Sequence, residues 1–173
     1  NNAVVRMALG TYYYHGFRDY GKALAEYTKA RDLAPSNSFS HFYIAMIYRR
    51  LGDFERSIQA NEKAVEMDPL SKVMIQNLGQ TYNAVRRYDE AWPSIERILS
   101  INANAETILW VKSQILISQG KLKKAREVAE GDKSLSTLVH QVKINYYLND
   151  YESLSKILKN TSINSIANIW TYY

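Results

Sequence analysis

An aromatic residue or leucine followed three positions later by a small residue recurs at a constant step of 34 residues in this chain, at Tyr20/Ala23, Phe54/Ser57, Tyr88/Ala91 and Leu122/Ala125. A fixed period of roughly 20 to 50 residues marks stacked structural units, none of which can bury its apolar face alone. Other columns keep the same step. Thr11, Ala45, Gly79 and Ser113 form a column of small residues, and Tyr14, Tyr48, Tyr82 and Leu116 a column of large ones three places on. Ala30, Ala64 and Ile98 make a third series, followed five residues later by Pro35, Pro69 and Ala103.

Each unit reads as a helical hairpin. In the second, Phe42, Ile44, Ala45, Ile47, Tyr48 and Leu51 recur at helical spacing; Gly52-Asp53 interrupts them, and Ile58, Ala64, Val65 and Met67 resume the pattern. Glycine suits the left-handed residue that closes a helix, and Asp53 suits the cap of the next one. The small columns are where two helices cross closely. Ala34-Pro35 and Asp68-Pro69 end the second helix of their units, because proline cannot extend it and biases its predecessor toward extended geometry.

The residues that carry these columns resemble the tetratricopeptide repeat. Its signature is visible as Leu78-Gly79, Tyr82, Tyr88 and Ala91, and again as Tyr48, Gly52, Phe54, Ala64 and Pro69. The resemblance implies an all-α, right-handed superhelical solenoid of antiparallel helix hairpins, a single domain over 1–173. Its repeats would span about 4–37, 38–71, 72–105, 106–133 and 134–160, the fifth anchored only by Tyr151. In the first unit Leu9-Gly10 sits one place early relative to Tyr14, which predicts an irregular first helix. Lys112 stands where a leucine is usual, and Glu130-Gly131-Asp132 predicts a short second helix in the fourth unit. Ile163, Ile166, Ile169, Trp170 and Tyr173 would share one face of a capping helix over 162–173, of the kind that seals the end of a stacked array.

Composition agrees with a soluble helical protein of the cytoplasm. No apolar run approaches the roughly 18 residues of a membrane-spanning helix, and the N-terminus lacks a charged-then-apolar export signal. The chain opens on Asn1 rather than Met, the expectation for a piece of a longer protein. Cysteine is absent, which excludes disulfides and thiolate metal sites. His15, His41 and His140 fall in different units, and none has a second metal-ligand residue at ligand spacing. Asp19, Asp53 and Asp89 fall at turns, where helix capping explains them. With no glycine-rich phosphate loop and no nucleophile elbow, the sequence predicts no catalytic residues, no metal and no cofactor.

Family geometry turns the first helix of every unit toward a concave groove that holds a peptide or helix of a protein partner. The groove residues it implies are Tyr12 and His15; Phe39, Phe42, Met46, Arg49 and Arg50; Gln76, Gln80 and Asn83; Thr107, Trp110, Gln114 and Ile117; and Val139, Lys143 and Tyr146. Aromatics and Met could anchor side chains of the partner. The amides of Gln76, Gln80, Asn83 and Gln114 could bond the backbone of an extended peptide. Phe42 and Trp110 read equally well as packing residues. Domains of this type that grip the acidic tail of heat-shock chaperones place Lys, Asn, Asn, Lys and Arg where this chain has Ala8, Tyr12, Tyr43, Val73 and Asn77, so that carboxylate clamp is absent.

A net charge of +5, with Arg49-Arg50, Arg86-Arg87 and Lys121 to Arg126 near successive turns, could steer an acidic partner. RNA is the lesser alternative, since related RNA-reading hairpin arrays generally repeat every 35 residues. Self-association through Ile163, Ile169, Trp170 and Tyr173, giving a homo-oligomer, is a second alternative. The phrases Tyr48 to Phe54 and Arg86 to Ala91 also look like repeat arrays that follow cyclase, kinase or DNA-binding domains in bacterial signalling proteins. That resemblance would make the chain a regulatory sensor module.

Overall fold

A computed structural model describes residues 2–102, 106–130 and 135–160, with the backbone alone at 106, 107, 135–137, 139 and 140. The expected capping segment lies outside the described residues, as do the side chains of Thr107, Val139 and His140. All regular structure among the described residues is helical, so the all-α class stands. The helices are α1 (Ala3–Thr11), α2 (Tyr20–Leu33), α3 (Ser38–Arg50), α4 (Phe54–Met67), α5 (Lys72–Ala84), α6 (Tyr88–Ile101), α7 (Glu106–Ser118), α8 (Leu122–Glu130), α9 (Leu135–Tyr147) and α10 (Tyr151–Asn160). They fall into two compact units, Asn1–Ser94 and Ile95–Tyr173, whose border lies inside α6 beside Pro93.

The hairpin turns carry the period in their backbone. Arg18, Gly52, Arg86 and Gly120, again 34 residues apart, adopt left-handed conformations with φ of 52°, 77°, 61° and 73°. The residue after each donates its N–H back across the turn. Asp53 bonds the Tyr48 carbonyl, Arg87 that of Tyr82 and Lys121 that of Leu116, each at 2.9 Å. These bonds satisfy carbonyls that a helix end otherwise leaves open. Asn149, with φ of 56°, closes α9 in the same way, and Asp150 bonds the Asn145 carbonyl at 2.9 Å. Side-chain caps then start the next helices: Asp19 accepts from Lys22 N at 3.0 Å, Asp53 from Arg56 N at 3.2 Å and Asp150 from Ser153 N at 3.0 Å.

The first hairpin departs from this plan where the sequence has one residue too many. After Thr11 the helix widens into a π turn over Tyr12–Phe17, and Asp19 N reaches back six residues to the Tyr13 carbonyl at 3.1 Å. A π turn absorbs a single inserted residue without breaking the helix. The insertion moves the close crossing from Thr11 to Gly10. Gly10 is buried, and a Cβ built there would lie 2.5 Å from Cε1 of Tyr27 on α2. Thr11 instead reaches the rim of that ring, its Oγ1 3.0 Å from the Tyr27 hydroxyl.

In the second hairpin Ala45 and Ser57 are both fully buried at the crossing, and Ser57 Oγ donates to the Ala45 carbonyl at 2.9 Å. Tyr27 stacks on Tyr43 with centroids 4.8 Å apart, joining α2 to α3. Between α4 and α5 a buried amide pair substitutes for apolar contact. Asn77 Nδ2 donates to Asn61 Oδ1 at 2.9 Å, and the hydroxyl of Thr81 donates to the Asn77 carbonyl at 2.7 Å. Such groups tolerate burial because they are bonded.

In the second unit Ile108, Val111 and Ile115 of α7, Ala125 and Ala129 of α8, and Ile144 of α9 are buried. Gln141 Nε2 donates to the Ala129 carbonyl at 2.8 Å, linking α9 to α8. Arg126 pairs with Asp150 at 3.0 Å and so fixes α8 against the start of α10.

Candidate partner-binding face

The side chains expected to meet a partner sort by depth. On the first unit Tyr12 is 56 % exposed and meets Tyr13 and Phe17 edge-on, with centroids 5.5 and 4.9 Å away. The π turn therefore presents a local aromatic group rather than one isolated ring. His15 is exposed and lies edge-on to Tyr14 at 4.7 Å. Phe39 is also exposed, while Met46, Gln76, Gln80 and Asn83 are half-buried.

Two expected anchors belong to the core instead. Phe42 is 6 % exposed and packs in a cluster with Ala64 and Met74. Trp110 is 8 % exposed. Neither ring is available as an open anchor, because helical spacing gives the face a residue occupies and not its depth. On the second unit Gln114 and Ile117 are half-buried, Lys143 is exposed, and Tyr146 is exposed edge-on to Tyr147 at 5.9 Å.

The residues that the structure ties together most closely lie where α3 and α5 run side by side. Arg49 Nη1 donates to Gln80 Oε1 at 2.6 Å, across 31 residues of sequence. Burial, and then the neighbouring charge of Arg50, lower the Arg49 pKa from its ordinary value. Arg50 turns outward, and its Nε donates to the Tyr14 hydroxyl at 3.3 Å. One turn beyond Gln80, Asn83 has a buried Oδ1 with no hydrogen-bond partner. The sequence placed Arg49 and Gln80 on neighbouring helices, but no pattern within either helix announces their bond. Nor did it single out the buried Asn61–Asn77 pair, which looks like any two surface amides.

Chemically, this face offers aromatic area, a thioether and amides with one guanidinium. That inventory suits binding. Among the described residues no group of three or more His, Asp or Glu is placed to hold a metal ion. No helix there is long and apolar enough to cross a membrane.

Comparison with known proteins agrees with this architecture. Residues 8–72 match the family model of the tetratricopeptide repeat. No curated protein matches the sequence. Among solved structures the chain is similar to a tetratricopeptide repeat protein from Parabacteroides merdae, with a TM-score of 0.72 and 14 % identity over 96 % of this chain and 66 % of that one. It is similar to PilF of Pseudomonas aeruginosa, with a TM-score of 0.71 and 14 % identity over 99 % of this chain and 82 % of that one. It is similar also to MamA from Desulfovibrio magneticus, with a TM-score of 0.71 and 13 % identity over 91 % of each. At these identities the likeness concerns the fold alone.

Helix hairpins closed by left-handed turns at a 34-residue step define the class as an all-α repeat array. The segment 8–72 carries the tetratricopeptide repeat, and the chain shares the fold of solved proteins of that family. Members of that family are generally non-catalytic scaffolds for protein–protein interaction.

Proposed function

We propose that this chain is a non-catalytic scaffold that holds a peptide or helix of a protein partner against the face formed by α1, α3 and α5. The observation that carries this reading is the contrast between that face and the core beneath it. The core there is closed by Phe42, Ala64 and Met74, whereas Tyr12, Met46, Gln76, Gln80 and Asn83 are exposed or half-buried and keep apolar and amide groups open to a partner. Rigid neighbouring helices present such groups in a fixed array, which lowers the ordering cost of binding. On the second unit Gln114, Lys143 and Tyr146 are offered in the same role by α7 and α9.

The test is affinity capture with the wild type, with Met46→Glu/Gln80→Glu, and with Lys63→Glu on the exposed side of α4. A partner held by the wild type and by Lys63→Glu but lost from the double variant places binding on this face. Equal retention by all three overturns the proposal.

A further inference from the structure

Five arginines are half-buried: Arg6, Arg31, Arg49, Arg87 and Arg126. Four of them hold a carboxylate. Arg6 pairs with Glu26 at 2.8 Å, Arg31 with Asp32 at 2.8 Å and Arg126 with Asp150 at 3.0 Å, while Arg87 pairs with Glu90 at 3.1 Å and Glu55 at 3.5 Å. Arg49 has no carboxylate within ion-pair distance among the described residues, and its one bond goes to the neutral Gln80 amide. A guanidinium offers five N–H donors in a planar fork, so most of its capacity remains for a ligand. Withdrawing a charge from water without a counter-charge is costly, and a carboxylate arriving on a partner would offset that cost.

Resting on the docking reading above, we infer that Arg49, held by Gln80, receives the side-chain carboxylate of an Asp or Glu within an acidic segment of the partner. A segment with several acids is favoured over a lone terminal carboxylate by charge. Arg18, Arg50 and Arg86 are exposed and hold no carboxylate among the described residues, and the chain as a whole carries +5. This site is also separate from the clamp geometry that binds chaperone tails, whose positions here are Ala8, Tyr12, Tyr43, Val73 and Asn77.

The test uses three short fluorescent peptides: one rich in Glu and Leu with an amidated C-terminus, the same peptide with Gln for every Glu, and that Gln peptide with a free C-terminal carboxylate. Anisotropy is read with the wild type, Arg49→Gln, Arg49→Lys and the charge-matched control Arg97→Gln, with melting curves to show that each variant folds. The amidated Glu peptide should bind. Arg49→Gln should weaken it by about tenfold or more, the size of a charge-assisted pair partly withdrawn from water. Arg49→Lys should weaken it less, and Arg97→Gln by no more than about twofold, as befits an exposed, screened charge. Equal binding of the Glu and Gln peptides, insensitive to Arg49, overturns the carboxylate assignment and leaves the docking face standing. Arg49-dependent binding confined to the free C-terminus replaces the side-chain acid with a terminal one. Failure of all three peptides to bind overturns the docking face as well.

Discussion

The first and second hairpins are built from the same columns and solve their crossings differently. In the second, an alanine faces a serine and the crossing is tied by a hydrogen bond from Ser57 to the Ala45 carbonyl. In the first, a glycine faces the ring of a fully buried tyrosine, and the helix above it widens into a π turn. An added residue in a packed helix need not be looped out. It can be taken up by one wide turn, provided that the residue at the crossing is small enough for the shifted register. Gly10 meets that condition, and Thr11, which the period alone would put there, does not.

The largest effect expected from this difference is at Gly10. Gly10→Leu should destabilise by about 3 kcal/mol, the upper range for overpacking, since the Tyr27 ring it would strike is itself stacked on Tyr43. Gly16, where an added Cβ meets nothing within 4 Å, is the internal control. A melting curve for Gly10→Leu that overlays the wild type would return the crossing to Thr11 and remove the contrast between the hairpins.

The comparison also shows where sequence reading stops. The class of fold is legible because it rests on local requirements: a small residue at each crossing, apolar residues at helical spacing, and in the second hairpin a glycine at the left-handed turn with a capping Asp53 after it, whereas Arg18 and Arg86 adopt the same turn without a glycine to announce it. The first of these is displaced by one place in the first hairpin because a π turn has no sequence signature of its own. The candidate face is harder to read. Periodicity puts Phe42 and Trp110 on the same face as Met46 and Gln114, but depth depends on what the neighbouring helix supplies. Phe42 is covered because Met74 and Ala64 meet it. The Arg49–Gln80 bond and the buried Asn61–Asn77 pair join residues of different helices, and nothing in the local pattern pairs them.

Alkaline titration gives a second and smaller separation of the hairpins. Burial, opposed in part by the bond to Thr11, pushes the Tyr27 phenol up to about 12. A raised pKa means that the stability held by the neutral phenol is full below pH 10 and is lost as pH rises through 12. The loss attributable to Tyr27 should reach about 2 to 3 kcal/mol, following from a shift of that size. Tyr27→Phe should flatten this part of the alkaline profile while itself costing about 1 kcal/mol for the lost hydroxyl bond. An unchanged profile in Tyr27→Phe would show that the ring is more accessible than its packing indicates.

The turns allow a subtler exchange between the two regions. Arg18 and Gly52 occupy the same left-handed position, at φ of 52° and 77°. A side chain there is strained by roughly 1 kcal/mol relative to glycine. Arg18→Gly should therefore stabilise by somewhat less than this, part of the gain being offset by the greater freedom of glycine in the unfolded chain. Gly52→Arg should destabilise by about 1 kcal/mol. Opposite signs in chemical denaturation would establish that the two hairpins share one turn geometry despite the π turn before the first. Matching signs would show that the wide turn relieves the strain at Arg18.

The smallest expected difference lies in the caps. Backbone and side-chain hydrogen bonds from Lys22 lower the Asp19 carboxyl pKa below its ordinary value; the side-chain and then the backbone bond from Arg56 do the same for Asp53. A lowered pKa stabilises the fold above the unfolded value near 3.8, and that contribution is lost as pH falls through the folded value. Both hairpins should accordingly soften together on acidification, and Asp19→Asn and Asp53→Asn, which keep a capping oxygen without the charge, should shrink the acid response to a similar degree. The π turn ends before Asp19, and α2 begins after it from a cap built like that of α4. If Asp19→Asn changed the acid limb far more than Asp53→Asn, the irregularity of the first hairpin would have to extend through its turn into α2. Equal responses would confine it to Tyr12–Phe17.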